Sequence, residues 1–386
     1  MELPAKVDRL QFVAKNTYLV NTSDLTLAAD TELQTVIEPP KQSSVVSPRS
    51  ETKAGHPYIY VIGSIGTAVI DATNLQLVVV APGIVAGPTG FLVDNHYRDR
   101  QGRLWSSSSA FLPLMPWEVP YQGRVSVWDA LTLRNEKTIG LGPNVVNTVG
   151  MTPDGKFAVV PITSANQLNV YDTESFEQVA TIRVGVSPWD MMVSADGKYL
   201  CEPDDNSDWL NIVDPKTWKI IGKVLTGEGS GPFMVTISPS NKFASVECSG
   251  HHGAGIKAEQ YGGVFGPPAM ATGKGFAIKY VDLVSQSVIK SIPLDFLPVW
   301  DEYTPNGKYD FIFGPLAAKT VVVNTETFEI AETIKLQSPP VYITPDPNGK
   351  YFYASVKAGL QVIDTSSLQV LDTIPTGGVI GTPLLL

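Results

Sequence analysis

The 386-residue sequence holds only two cysteines, Cys201 and Cys248, and four histidines, and it contains no run of about 18 apolar residues. Two cysteines cannot make a disulfide framework, so a pair of buried free thiols is expected. The lack of a long apolar run argues against a membrane-spanning helix. Charged residues make up 17%, below the usual quarter, and the net charge is −10. Without clustered Lys and Arg there is nothing to neutralise phosphates, so a nucleic-acid partner is not expected. The motifs C-x-x-C-H, G-x-S-x-G, the Walker A loop and H-E-x-x-H are all missing, so no cofactor is expected to be bound covalently through a c-type haem motif. The start, Met1-Glu2-Leu3-Pro4-Ala5-Lys6, shows no charged and then apolar signal segment.

What the sequence has is turns and repetition. Thirty-three glycines and thirty prolines are spread along the chain, and 43% of residues are hydrophobic, which suits many short strands around a core. One phrase, an alternating apolar strand ending in Asp or Asn and followed four residues later by an aromatic residue or Leu, recurs. It stands as Thr67-Ala-Val-Ile-Asp71, Val125-Ser-Val-Trp-Asp129, Leu168-Asn-Val-Tyr-Asp172, Leu210-Asn-Ile-Val-Asp214, Lys279-Tyr-Val-Asp282, Val321-Val-Val-Asn324 and Leu360-Gln-Val-Ile-Asp364. The acid or amide is expected to accept backbone amides two residues on and so to make a hairpin turn. A second phrase alternates with it: Thr152-Pro-Asp-Gly-Lys-Phe157, Ser194-Ala-Asp-Gly-Lys-Tyr199, Thr304-Pro-Asn-Gly-Lys-Tyr309, Asp346-Pro-Asn-Gly-Lys-Tyr351 and the weaker Ser238-Pro-Ser-Asn-Lys-Phe243. Asp-Gly and Asn-Gly between alternating strands are strong hairpin signals. Two hairpins per period of about 42 residues make a four-stranded blade, which buries both faces only by stacking on its neighbours.

Over roughly residues 56–386 these repeats resemble the YVTN family of β-propeller repeats, most clearly in Gln167-Leu-Asn-Val-Tyr-Asp-Thr-Glu-Ser-Phe-Glu-Gln-Val-Ala-Thr-Ile-Arg-Val-Gly185 with Ser194-Ala-Asp-Gly-Lys-Tyr-Leu200. The resemblance implies an all-β, seven-bladed propeller of four-stranded blades, closed by the C-terminal strand, which pairs with the blade that begins near His56. Residues 1–55 are expected to form an N-terminal arm with an extra hairpin, and eight blades is the alternative. At fold level the repeats are also similar to the propeller subunit of hydrazine synthase. That similarity implies an extracytoplasmic redox complex and, as partners, other protein subunits such as a c-type cytochrome.

Two insertions, 110–122 and 249–275, fall between the second and third strands of their blades, and long connections of this kind are natural sites for function. In the first, Trp117 and Glu118 are candidates for partner contact. In the second, His251, His252, Glu259 and Tyr261 are candidates, and the two histidines could also hold a transition metal or haem iron. Trp189, Asp190, Trp300, Asp301 and Glu302 are expected to line the channel, where carboxylates could do acid–base work. Asp204, Asn206 and Asp208 form half a calcium loop. Three functions follow as expectations: a non-catalytic scaffold subunit of a redox complex, a self-contained metal- or d1-haem-dependent oxidoreductase, or a lactone hydrolase.

Overall fold

The computed structural model describes residues 9–14, 17–21, 26–30, 35–37, 57–63, 66–82, 99–109, 123–128, 135–142, 144, 146, 148–250, 275–314, 317–377 and 381–385. The chain is all-β there, with one 3-10 turn at Thr163–Ala165. Seven antiparallel sheets follow from residue 58 onward, here called by their spans: 58–82, 104–140, 150–183, 192–225, 232–293, 300–335 and 342–374. All are four-stranded except 104–140, which has three strands among the described residues. The fourth strand of the 58–82 sheet is the C-terminal Gly381–Leu385, paired antiparallel with Tyr58–Gly63 from Gly381↔Gly63 to Leu385↔Ile59. The N-terminal segment is more than the expected hairpin: Arg9–Ala14, Thr17–Asn21, Thr26–Asp30 and Thr35–Ile37 form a four-stranded sheet of their own.

Both repeated phrases fold as local hydrogen bonding dictates. The Asp71 carboxylate accepts Thr73 N–H at 2.8 Å, Asp172 accepts Glu174 and Ser175 N–H at 3.0 and 2.9 Å, and Asp364 accepts Ser366 and Ser367 N–H at 3.1 and 2.7 Å. In the second phrase the hydroxyl of Thr152, Ser194 or Thr304 accepts the N–H five residues on, at 2.9 to 3.0 Å. Gly155, Gly197, Gly307 and Gly349 take the left-handed backbone that this turn needs, and Asn241 takes it in the weaker copy.

Among the described residues, the residue four places after the Asp or Asn is also left-handed although it is not glycine: Leu75, Phe176, Trp218, Gln286, Phe328 and Leu368 have φ between 52° and 62°. Such a conformation costs a bulky residue energy, which packing must offset. Phe176 stacks on Trp105 of the preceding sheet at 5.8 Å, Trp218 meets Phe157 edge-on at 5.5 Å, and Phe328 sits 4.8 Å from Tyr280. These side chains are wedges driven from one blade into the one before.

The core lies between sheets, with strand alternation sending side chains to opposite neighbours. On Phe243–Cys248, Ala244, Val246 and Cys248 pack with Cys201, Leu210 and Ile212 of the 192–225 sheet, while Ser245 and Glu247 turn to the 300–335 sheet. Cys201 and Cys248 are free, buried thiols, and desolvation pushes Cys248 up to about 12.

Candidate functional site

The second-to-third strand connection is short in most blades, from Ile162 to Gln167 or from Asp204 to Trp209. It is long in two, from Ser109 to Gly123 and from Cys248 to Ala277, and blade topology puts both sets of anchors on the same rim. Trp117, Glu118, His251, His252, Glu259 and Tyr261 lie outside the described residues. The anchors of the longer insertion are well defined. A β-carbon on Gly275 would sit 3.1 Å from Gly250 Cα, so the chain leaves and re-enters the blade at nearly one point. Ser249 N–H donates to Gly231 O and Gly250 N–H to Ser230 O, each at 2.8 Å, which ties the exit to the neighbouring rim turn.

That turn is organised by the run expected to be half a calcium loop, and the structure gives the run another use. The Asp208 carboxylate accepts Gly229 N–H at 2.8 Å and Gly231 N–H at 2.9 Å, shaping the turn that pins Ser249 and Gly250. Asp204 instead accepts Gly185 N–H at 2.9 Å and the Asn211 amide at 2.7 Å. Asn206 is half-buried, and its backbone N–H donates to Val186 O. Among the described residues no group of three or more His, Cys, Asp or Glu side chains is placed to hold a metal ion.

The two Trp-Asp pairs are not structurally equivalent. Asp190 lies four residues before its turn hydroxyl, Ser194, and Asp301 three before Thr304. The one-residue offset reverses the facing of the side chains. Asp301 therefore turns back to the 232–293 sheet, where Ser245 Oγ donates to it, while Asp190 accepts Val235 N–H at 3.2 Å from the sheet ahead. Glu302 faces the other way and accepts the Tyr342 hydroxyl at 3.0 Å. Trp300 lies against Phe313 and Tyr342, and Trp189 packs beside Phe233 and Val299; both are half-buried. Asp190, Asp301 and Glu302 are 7%, 1% and 8% exposed.

Burial pushes the Asp190 carboxyl up to about 7; the Val235 and Met191 amides and Thr148 oppose the shift, and the charge of Asp301 adds to it. A carboxyl whose folded value exceeds its unfolded one binds extra protons when folded. Its contribution is fully present below the ordinary carboxylate range and is lost as pH rises toward 7. Asp190→Asn keeps an oxygen for Val235 N–H and cannot ionise. The expected result is a flatter stability profile between about pH 4 and 7, removing a decline on the order of a few kcal/mol. Urea titrations across that range check it, and a wild-type profile that rises there would contradict the assignment.

Three further buried groups carried no signal in the sequence: Glu202, Asp310 and Ser245. Glu202 and Asp204 share the Asn211 amide at 2.7 Å each, and Asp310 accepts the Tyr280 hydroxyl at 2.7 Å. Desolvation raises Glu202 and Asp310 well above the ordinary carboxylate range, with neighbouring carboxylates adding to the effect. An isolated acid inside an apolar strand, as in Tyr309-Asp-Phe-Ile-Phe313, was the only available clue.

No family model matches the chain, and no curated protein matches it in sequence. Among solved structures it is similar to a chain of hydrazine synthase from Kuenenia stuttgartiensis, at 18% identity and a TM-score of 0.50, covering 66% of this chain and 80% of that one. It is also similar to a proposed 6-phosphogluconolactonase from Bacteroides uniformis ATCC 8492, at 15% identity and a TM-score of 0.60, covering 86% of this chain and 100% of that one. Among the described residues no helix is long and apolar enough to cross a membrane. At these identities the likeness establishes the fold alone: the chain is a β-propeller.

Proposed function

We propose that the chain is a non-catalytic scaffold subunit of an extracytoplasmic redox complex, built as a seven-bladed ring and holding its partner through the 249–275 insertion. The observation that carries this reading is the pinned pair of anchors, Gly250 and Gly275, which presents a long glycine-rich segment from one fixed point on the rim. A rigid launch point limits the entropy lost when such a segment orders on a partner. The likeness to a hydrazine synthase chain supports a place in a complex, and a c-type cytochrome is the partner class proposed for it. The Gly381–Leu385 strand supports the seven-blade reading, since it supplies the fourth strand of the 58–82 sheet without help from the N-terminal sheet. Closure of this kind removes an exposed sheet edge.

A second reading, a lactone hydrolase, rests on the likeness that spans the whole of the Bacteroides chain. One experiment separates the readings. The full chain is purified from its native host beside a variant with 251–274 replaced by a short Gly-Ser linker, which the adjacent anchors accept without strain. The wild type is expected to elute with a haem-absorbing partner, and the variant as a free chain of unchanged melting temperature. A wild-type monomer with no partner overturns the scaffold reading. Release of acid from sugar lactones would then favour the hydrolase, and metal with a visible chromophore on the isolated chain would favour a metal- or d1-haem oxidoreductase using His251 or His252.

A further inference from the structure

The seam between the 232–293 and 300–335 sheets contains an acid cluster with no balancing charge among the described residues. Glu247, Asp301 and Asp310 are 0%, 1% and 0% exposed. Ser245 Oγ donates to Asp301 Oδ2, the Tyr303 hydroxyl donates to Ser245 Oγ at 2.8 Å, and the Tyr280 hydroxyl donates to Asp310 at 2.7 Å. Beyond these bonds the seam runs out of donors. Both Glu247 carboxyl oxygens, Asp301 Oδ1 and Asp310 Oδ1 are buried and meet no donor among the described residues. The Asp301 carboxyl lies within hydrogen-bonding reach of both Glu247 and Asp310, and two carboxyls bond to each other only when one carries the proton.

Three ionised carboxylates here would each lose several kcal/mol of hydration and also repel one another. A cation or protons must relieve this. The cluster does not converge on a metal-binding geometry, and the groups that bear on it from the packed sheets are acids and phenols: Asp190 from the 192–225 sheet, Tyr280 from its own, and Glu302 and Tyr303 from the sheet ahead.

We propose that Glu247 and Asp310 are held as neutral carboxylic acids whose protons bind them to Asp301, making this seam a proton-dependent latch between two blades that loosens as pH rises. Desolvation, the largest influence on both groups, acts in the same direction, and the neighbouring carboxylates reinforce it. Acids bound more tightly to protons in the folded state stabilise it at low pH, and that contribution fades as pH climbs through the folded value. Glu247 stands two residues before Ser249, whose N–H ties the insertion's exit to Gly231, so the latch also sets how firmly that anchor is held.

Glu247→Gln tests this directly, because the amide keeps the shape, offers Asp301 a permanent donor and has no proton to lose. Melting temperatures of the full chain are compared from neutral to mildly alkaline pH, and infrared difference spectra in heavy water read the protonated carboxyl band. The expected result is a variant that gains on the wild type as pH rises, by about 1–4 °C, and a neutral-pH carboxyl band that weakens in Glu247→Gln but is unchanged in Asp364→Asn, whose exposed carboxyl is held ionised by its turn. Should Glu247→Gln fail to fold, Asp310→Asn replaces it and is expected to weaken the same band. A gap that does not change with pH, or an absent band, overturns the proposal. So does a stoichiometric cation in the purified protein that raises its melting temperature at fixed pH, since an ion would then stand where the protons are placed.

Discussion

Asp99→Ala is expected to cost the fold about 3–5 kcal/mol, as removal of one partner from a buried ion pair does. Asp99 is 6% exposed and accepts four hydrogen bonds: Gln101 N–H at 3.0 Å, Arg103 N–H at 2.9 Å, Arg103 Nε–H at 2.6 Å and the Trp105 indole N–H at 2.8 Å. Arg103 goes on to donate to Thr173 O of the next sheet at 2.6 Å and covers the Phe176 ring at 4.9 Å, on which Trp105 also stacks. One carboxylate thus positions both groups that receive the Phe176 wedge. Asp154→Ala is the control: it too pairs with an arginine, Arg100, at 3.0 Å, but the two side chains are 49% and 57% exposed, so its loss should cost under about 1 kcal/mol. Urea unfolding midpoints at constant m-value compare them. Equal losses would mean that Asp99 does no more than a surface turn residue.

Phe352→Ala should cost about 3–5 kcal/mol as well, but through volume instead of charge. Phe352 and Phe311 are both fully buried and stack with ring centroids 3.9 Å apart and planes at 16°, joining the 342–374 sheet to the 300–335 sheet. Blades are stabilised by nearest-neighbour interfaces, so a cavity at one seam weakens a link that no other seam replaces. Phe352→Leu, which retains bulk but not the stack, should cost less. In the double variant Phe311→Ala/Phe352→Ala the losses should fall short of additive, because the second truncation removes a partner already lost. Strict additivity would show the two rings to be energetically independent.

The propeller was legible in the sequence because its repeats are local devices. Asp172 needs only Glu174 and Ser175, and Thr152 only Phe157, so the spacing of a few residues records the bond. The aromatic residue or Leu four places after most of these Asp or Asn residues was visible as part of the phrase, but the role of Phe176 as a left-handed wedge was not, since it acts on Trp105 of another sheet. The meeting of the seam groups was hidden for the same reason: Asp301 stood out in the sequence, but Ser245 is 56 residues away and reaches it only when two sheets face each other. The two Trp-Asp pairs share their composition, but their distances to the following turns differ by one residue, and a strand turns that difference into opposite faces.

The pairing of Gly381–Leu385 with Tyr58–Gly63 has a consequence for how the protein is made. A ribosome delivers Tyr58 long before Leu385, and domains generally fold as units while the chain is still emerging. Until Gly381–Leu385 is made, the strand beginning at Tyr58 waits with one unpaired edge, while the sheets between assemble in order beside it. Completing this sheet is therefore a late step, in which one strand travels back to a partner made hundreds of codons earlier. A nascent chain stalled before Gly381 would present that edge to chaperones, or to the matching edge of another unfinished copy.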